Sequence, residues 1–390
     1  MAAPRMTPTQ RLDAIVLANF MALGIIIAAV PRYLHGPLHA SRTATGAATT
    51  IYFVAALIMR PFVGSAVDRI GRRPFIVLPP IGLVVLTLGY EVAHSVLAVA
   101  ALRFLAGGFA ALFFTSVALA ATDLVAPHER TRALSRQSVM TYTGFTLGPI
   151  VADRLIHVSW TLVWLVAAGL HAMTTVLAAP MAETRRADAP TATARFGFDR
   201  RVVRPAIGLL VANFSFSTIV AFLPEYSERL HISSPGLLFA TYAICVLTVR
   251  SLTGRLADRI GPARFTIPTM TIGGLGLTAL ALSHSSWQSF IAIGVVGGSL
   301  GATYPSATAA ALARVGPDER GRAMGTAFAL GDVGQASAGP LVGFLSTQLG
   351  FRWVYGLPAV LAVFGVMTVA SMPEVRRRRT SVSIGDRSHL

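Results

Sequence analysis

The sequence predicts an all-α membrane protein, with twelve transmembrane helices in two pseudo-symmetric six-helix bundles. Three observations carry this. The 390 residues are 54% hydrophobic and only 13% charged, about half the charged share of a soluble domain. The apolar residues fall in blocks of about twenty, the length that spans a hydrocarbon core of about 30 Å. These blocks are too long, and too little alternating, for the strands of a membrane barrel. Finally, the chain repeats: Arg60, Gly64, Asp68, Arg69, Ile70 and Gly71 recur 190 positions later as Arg250, Gly254, Asp258, Arg259, Ile260 and Gly261.

Span one, near 12–34, exceeds the apolar core of a leader peptide and no small-x-small cleavage site follows it, so it is expected to remain a helix. Span two, 44–66, ends in the charged stretch GSAVDRIGRR. Span three covers 75–94. Span four, 97–122, carries Arg103 inside the apolar run. Span five, 133–156, is rich in small residues and contains Pro149; span six covers 160–181. The polar stretch 182–203 then reads as a linker. Spans seven to twelve, at 204–226, 235–257, 265–284, 287–314, 322–346 and 353–372, restate the first six. ANF at 18–20 returns at 212–214, PRY at 31–33 as PEY at 224–226, and APHERTRA at 126–133 as GPDERGRA at 316–323. The predicted organisation is a bundle over 1–181, a linker over 182–203, a second bundle over 204–372 and a tail over 373–390.

The net charge of +16 would suggest nucleic acid in a soluble protein, but its distribution points to topology. All 33 basic residues are arginine. Most lie in the N-terminus, the even-numbered loops and the tail. Only Arg32, Arg42, Arg154, Arg229 and Arg352 lie in the opposite loops, and Arg60, Arg103 and Arg250 within spans. Basic residues mark the cytoplasmic side, so both termini are expected there, in a cell inner membrane. The arginine run 376–379 reads as a headgroup anchor.

Several chemistries are excluded. Without lysine there is no Walker A phosphate loop and no pyridoxal Schiff base. The lone Cys245 forms no disulfide within the chain. His35 and His39 have ligand-like spacing but sit in a loop, with no metal site expected. No protease or hydrolase motif appears, so no enzyme is expected. Long internal repeats of helical hairpins point to a secondary transporter whose site lies near the midplane.

The residues Gly64 to Arg73 resemble the loop 2–3 signature of the major facilitator superfamily at every defining position, and the resemblance runs from Arg11 to Pro373. It implies two six-helix bundles that open alternately to each side. It also implies a conformational switch at Gly64, Asp68, Arg69, Gly71 and Arg72. In the family the acid locks against the eleventh span, and Asp123, at the end of span four, competes for the signature arginine, here Arg69 or Arg72. The second copy, around Asp258, loses the basic pair to Pro262 and Ala263 and is the weaker hinge. GFTLGPIVAD in span five resembles the family's antiporter motif through Gly144, Gly148 and Pro149; Ala152 and Asp153 replace its closing glycines. The small residues should let span five press on its pseudo-symmetric neighbour, where Pro149 bends it. Span eleven has the looser GQASAGPLVG. Arg103, followed by Gly107, resembles the span-four arginine linked to proton coupling.

Each charge inside a span costs about 2.5–3.5 kcal/mol at the helix centre and asks for a reason. Asp332 lies ten residues into span eleven, about 15 Å deep at about 1.5 Å per residue. There a carboxylate is poorly solvated and poised to take a proton. Glu91 and Asp153, near outer helix ends, are expected to be hydrated. Candidate polar cavity residues are Asn19, Tyr142, Asn213, Tyr242, Tyr304 and Gln335, with Phe113, Phe216 and Phe328 as apolar walls.

The resulting expectation is a proton-coupled exporter of small organic molecules, working as a monomer in the lipid bilayer. Its partners are substrate and protons; the proton gradient is its energy source, with no cofactor and no nucleic acid. The alternatives are a proton-coupled importer or uniporter of sugars or organic acids, and a non-transporting membrane sensor.

Overall fold

The computed structural model describes residues 6–126, 129–184, 199–232, 235–316 and 320–373. The side chains of Gly64, Asp68, Gly254 and Asp258, from the repeated hinge, lie outside the described residues, as do most of the linker and the arginine run of the tail. Among the described residues there are twelve α-helices and no strand. They are α1 (Pro8–His35), α2 (Arg42–Ile70), α3 (Arg73–Gly89), α4 (Val96–Asp123), α5 (Arg130–Ile156), α6 (Trp160–Ala178), α7 (Val203–Arg229), α8 (Pro235–Ile260), α9 (Pro262–Leu282), α10 (Ser286–Leu312), α11 (Arg320–Leu349) and α12 (Trp353–Ala370). Ten are long and apolar enough to cross a membrane by length and composition. The other two are α5, with charges along it from Arg130 to Arg154, and α11, filled with small and polar residues.

The ends are set locally. Hydroxyls at Thr7, Ser41 and Ser95 accept from the N–H groups of Gln10, Ala44 and Ala98 at 3.3, 3.2 and 3.2 Å, satisfying donors that a helix start leaves open. The sequence repeat reappears as backbone geometry. Gly71 and Gly261 close α2 and α8 with φ of 109° and 94°, a region costly for any residue with a Cβ. A proline follows within the first two positions of α3 and of α9.

Large apolar side chains lie on the surface as well as in the core. Leu97, Leu252 and Val92 are 80, 75 and 74% exposed, as large apolar side chains facing lipid should be. The chain divides into two compact units. The first holds residues 1–194 together with 219–243 and 339–344, so it includes one end each of α7, α8 and α11. Its core joins Ile15, Val16 and Phe20 of α1 to Phe113 and Val117 of α4 and Ala178 of α6. The second holds 195–218, 244–338 and 345–390. There Ala206 and Leu209 of α7 pack on Ala307 and Ala311 of α10 and Ala323 and Ala327 of α11. Small side chains let these helices approach closely.

Candidate functional site

The charged turn after α2 is built around Glu183, a residue the sequence reading passed over. Its carboxylate accepts the backbone N–H groups of Arg72 and Arg73 at 2.9 and 3.1 Å, placing negative charge at the start of α3 where the helix dipole favours it. A Cβ at Gly71 would strike the same carboxylate, so glycine is needed there for space as well as for φ. Arg72 is the signature arginine that meets Asp123: Nε donates to Oδ2 at 3.2 Å, and Nη1 donates to the Val67 carbonyl at 3.0 Å. Arg69 is exposed. The turn thus ties α2, α3, α4 and the segment after α6 together. Glu183 was legible only as the first acid after span six.

The glycines of the antiporter-like motif serve a different neighbour from the one expected. A Cβ on Gly144 would lie 2.7 Å from Met21 N, and one on Gly148 2.5 Å from Met21 O. Gly24 faces back onto Gly144 O, at 3.0 Å from its own would-be Cβ, and onto the Pro149 ring at 3.1 Å. Gly144 and Gly148 therefore press α5 on α1 rather than on its pseudo-symmetric partner. Pro149 reaches further. Its carbonyl lies 2.7 Å from a would-be Cβ of Gly236, at the start of α8.

Asp153 is not the hydrated acid expected from its place near a helix end. It is 4% exposed. Its Oδ1 pairs with Arg32 Nη1 at 2.7 Å, and Oδ2 accepts from Gly236 N at 2.5 Å. Helix-end position gave no hint of this, because the covering groups come from α1 and α8. Glu91 is exposed and accepts from the Thr161 hydroxyl at 2.6 Å, close to expectation. On the same end of the first unit Glu225 of α7 accepts from Arg42 Nε at 2.7 Å and from Arg229 Nη2 at 3.1 Å. Gly46 and Gly339 bring α2 and α11 into backbone contact, each standing where the other's Cβ would meet a carbonyl oxygen.

The candidate cavity residues are divided between the two units. In the first unit Asn19 of α1 bonds to His171 of α6, 3.2 Å from Oδ1 to Nδ1. Phe113 is fully enclosed in the core. Tyr142 packs edge-on against Phe145, and Tyr242 is buried. In the second unit Gln335 Nε2 donates to Asn213 Oδ1 at 3.4 Å, and Gly331 leaves room for the same asparagine. Asp332, one position on, is 4% exposed. Tyr304 stacks on Phe328, with centroids 6.4 Å apart, and Arg250 lies 5.9 Å over the Tyr304 ring. Phe216 is half-buried. Arg103 is 1% exposed; its Nη2 donates to the Thr49 carbonyl at 3.0 Å and its guanidinium lies 4.6 Å from the Tyr52 centroid.

The sequence matches the Major Facilitator Superfamily profile over residues 12–234 and again over 205–387. It is 26% identical to an MFS-type transporter of Salmonella typhimurium over 373 residues, covering 92% of this chain and 95% of that one. It is 23% identical to the staphylopine export protein of Staphylococcus aureus over 398 residues, covering 95% and 97%. Among solved structures, nucleoside transporter NupG superimposes with a TM-score of 0.80 at 12% identity, covering 94% of this chain and all of that one. A bacterial homologue of the human lysosomal transporter Spinster gives 0.79 at 15% identity, covering 93% and 95%. At these identities the two structures speak for the fold alone.

Proposed function

The chain belongs to the Major Facilitator Superfamily, and from that premise we propose that it exports small organic molecules in exchange for protons. One observation carries the reading. Gly144 and Gly148, which with Pro149 resemble the family's antiporter motif, stand where α5 has no room for a side chain against Met21 and Gly24 of α1. A fixed α1–α5 pair gives an exporter a rigid wall that resists leak while the opposite helices move. The likeness to the staphylopine export protein supports the direction without indicating the substrate.

The arginine-rich end of the bundles, with both termini, is the cytoplasmic one in this reading. The far end, with Asp153 and Glu225, then faces outward. The acids there cross-link helices within the first unit. Asp68, with Arg72 and Asp123, belongs to the opposite switch, and Asp258 to its weaker copy.

Protons couple through Asp332. It is 4% exposed on α11, where an acid inside a span asks for a role. Asp332→Asn should retain folding and downhill exchange but lose accumulation driven by a pH gradient. The measurement is uptake of a panel of organic substrates into proteoliposomes, with and without an imposed gradient. Uphill pumping by Asp332→Asn with unchanged pH dependence would remove Asp332 from the role and leave Arg103 with Asp123 as the next pair to examine.

A further inference from the structure

Inside the first unit a small cavity lies among α1, α2, α3, α4 and α6, lined by Asn19, Tyr52, Tyr90, Arg103 and His171 with apolar neighbours. Two of these carry a buried nitrogen with no hydrogen-bond partner: Arg103 Nε and His171 Nε2. The residues themselves are 1 and 2% exposed. Both are already held from behind. Arg103 of α4 is fixed to α2 through the Thr49 carbonyl and the Tyr52 ring. His171 of α6 is fixed to Asn19 of α1.

The cavity measures about 20 Å³, above the about 10–15 Å³ that one water-sized particle needs and too small for an organic substrate. Its chemistry identifies the particle. A guanidinium stays protonated, so Arg103 Nε–H is a donor. Asn19 can present either end of its amide to His171. With the amide nitrogen toward Nδ1, a neutral His171 directs Nε2–H into the cavity as a second donor. Among the described residues no carboxylate pairs with Arg103. A charge so enclosed needs compensation. Water would satisfy the hydrogen bonds but leave the charge; a single-atom anion satisfies both.

We propose that the first bundle binds a buried halide, chloride in the cell, between Arg103 Nε–H and His171 Nε2–H. The ion bridges the α2–α4 pair to the α1–α6 pair. The site is independent of the direction of transport and of the coupling carboxylate.

The test uses the purified full chain in nanodiscs, with chloride replaced by gluconate at constant ionic strength. Thermal stability should rise saturably with chloride, and bromide should substitute. Arg103→Gln and His171→Phe should each weaken the half-saturating concentration at least tenfold. In crystals grown with bromide, an anomalous peak should stand between Arg103 and His171, a readout that does not depend on either variant folding. Equal stability of the wild-type chain in chloride and gluconate would overturn the proposal. So would a water in the cavity that bromide does not displace, or unchanged halide dependence in a folded Arg103→Gln protein.

Discussion

At the far end of the first unit two contacts do the same geometric work by different chemistry. Where α5 meets α8, the contact is electrostatic: Asp153 holds Arg32 with one oxygen and the backbone N–H of Gly236 with the other. Where α2 meets α11, it is steric: Gly46 and Gly339 are bare, and Gly343 would place a Cβ 2.7 Å from the Arg42 carbonyl. The sequence repeat relates the two, since Gly343 stands 190 positions after Asp153. A carboxylate at a helix start can be released by a proton or a competing cation. Glycine contacts have no such handle and depend only on how close the backbones come. The α5–α8 contact therefore has groups that pH or cations can address, whereas the α2–α11 contact has only backbone proximity.

The largest effect should therefore come from filling the steric contact. Gly339→Leu sets a branched side chain against the Gly46 backbone and Thr50, where a Cβ alone already has no room, so the two backbones must part. Transport should fall to background while insertion persists, and a cysteine placed at this end should label more readily from outside in cells. Gly169→Leu on α6, which meets nothing within 4 Å, is the control and should transport normally. Equal transport by both variants would end the steric reading.

Asp153→Ala should come next. It strands Arg32 and exposes no replacement acceptor to Gly236. Breaking one partner of a buried pair costs about 3–5 kcal/mol, which predicts at least a tenfold loss of transport and a lower melting temperature. Asp153→Asn keeps an oxygen for Gly236 N but loses the charge toward Arg32, so it should fall between alanine and wild type. If alanine and asparagine variants behaved alike, the backbone bond to α8 would contribute nothing measurable.

The helices were legible in sequence because hydropathy and the length needed to span a bilayer fix them almost alone. Boundaries differ mainly where hydrophilic turns extend a helix, as in α2, which runs to Ile70 where hydropathy stops near 66. The hinge repeat was equally legible as sequence, whereas the positive φ shared by Gly71 and Gly261 emerges only from the backbone. The partners were not. Nothing in the GSAVDRIGRR stretch says that Arg72 rather than Arg69 takes Asp123, or that Glu183, 111 positions from Arg72, closes the turn. Asp153 misled for the same reason: its surroundings come from residues 121 positions before it and 83 after. The charge of Arg103 was visible, but not the cavity it shares with His171. Hydropathy records each helix separately, whereas these sites arise only where helices distant in sequence meet.

The smallest predicted effect sharpens the comparison at its rim. Glu225 accepts from Arg42 at 2.7 Å and from Arg229, one turn away on its own helix, at 3.1 Å. The arginine side chains are 26 and 45% exposed, so water already screens much of the pairing, and exposed pairs contribute at most about 1 kcal/mol. Glu225→Gln keeps an acceptor oxygen of the same reach. It should lower transport by about twofold, and raised salt should narrow the gap by weakening the wild-type pair. Transport measured in vesicles at low and high ionic strength decides between a rim contact and a principal lock. A tenfold loss that salt leaves untouched would mean that Glu225 matters as much as Asp153, and the far end would then be held electrostatically at both α7 and α8.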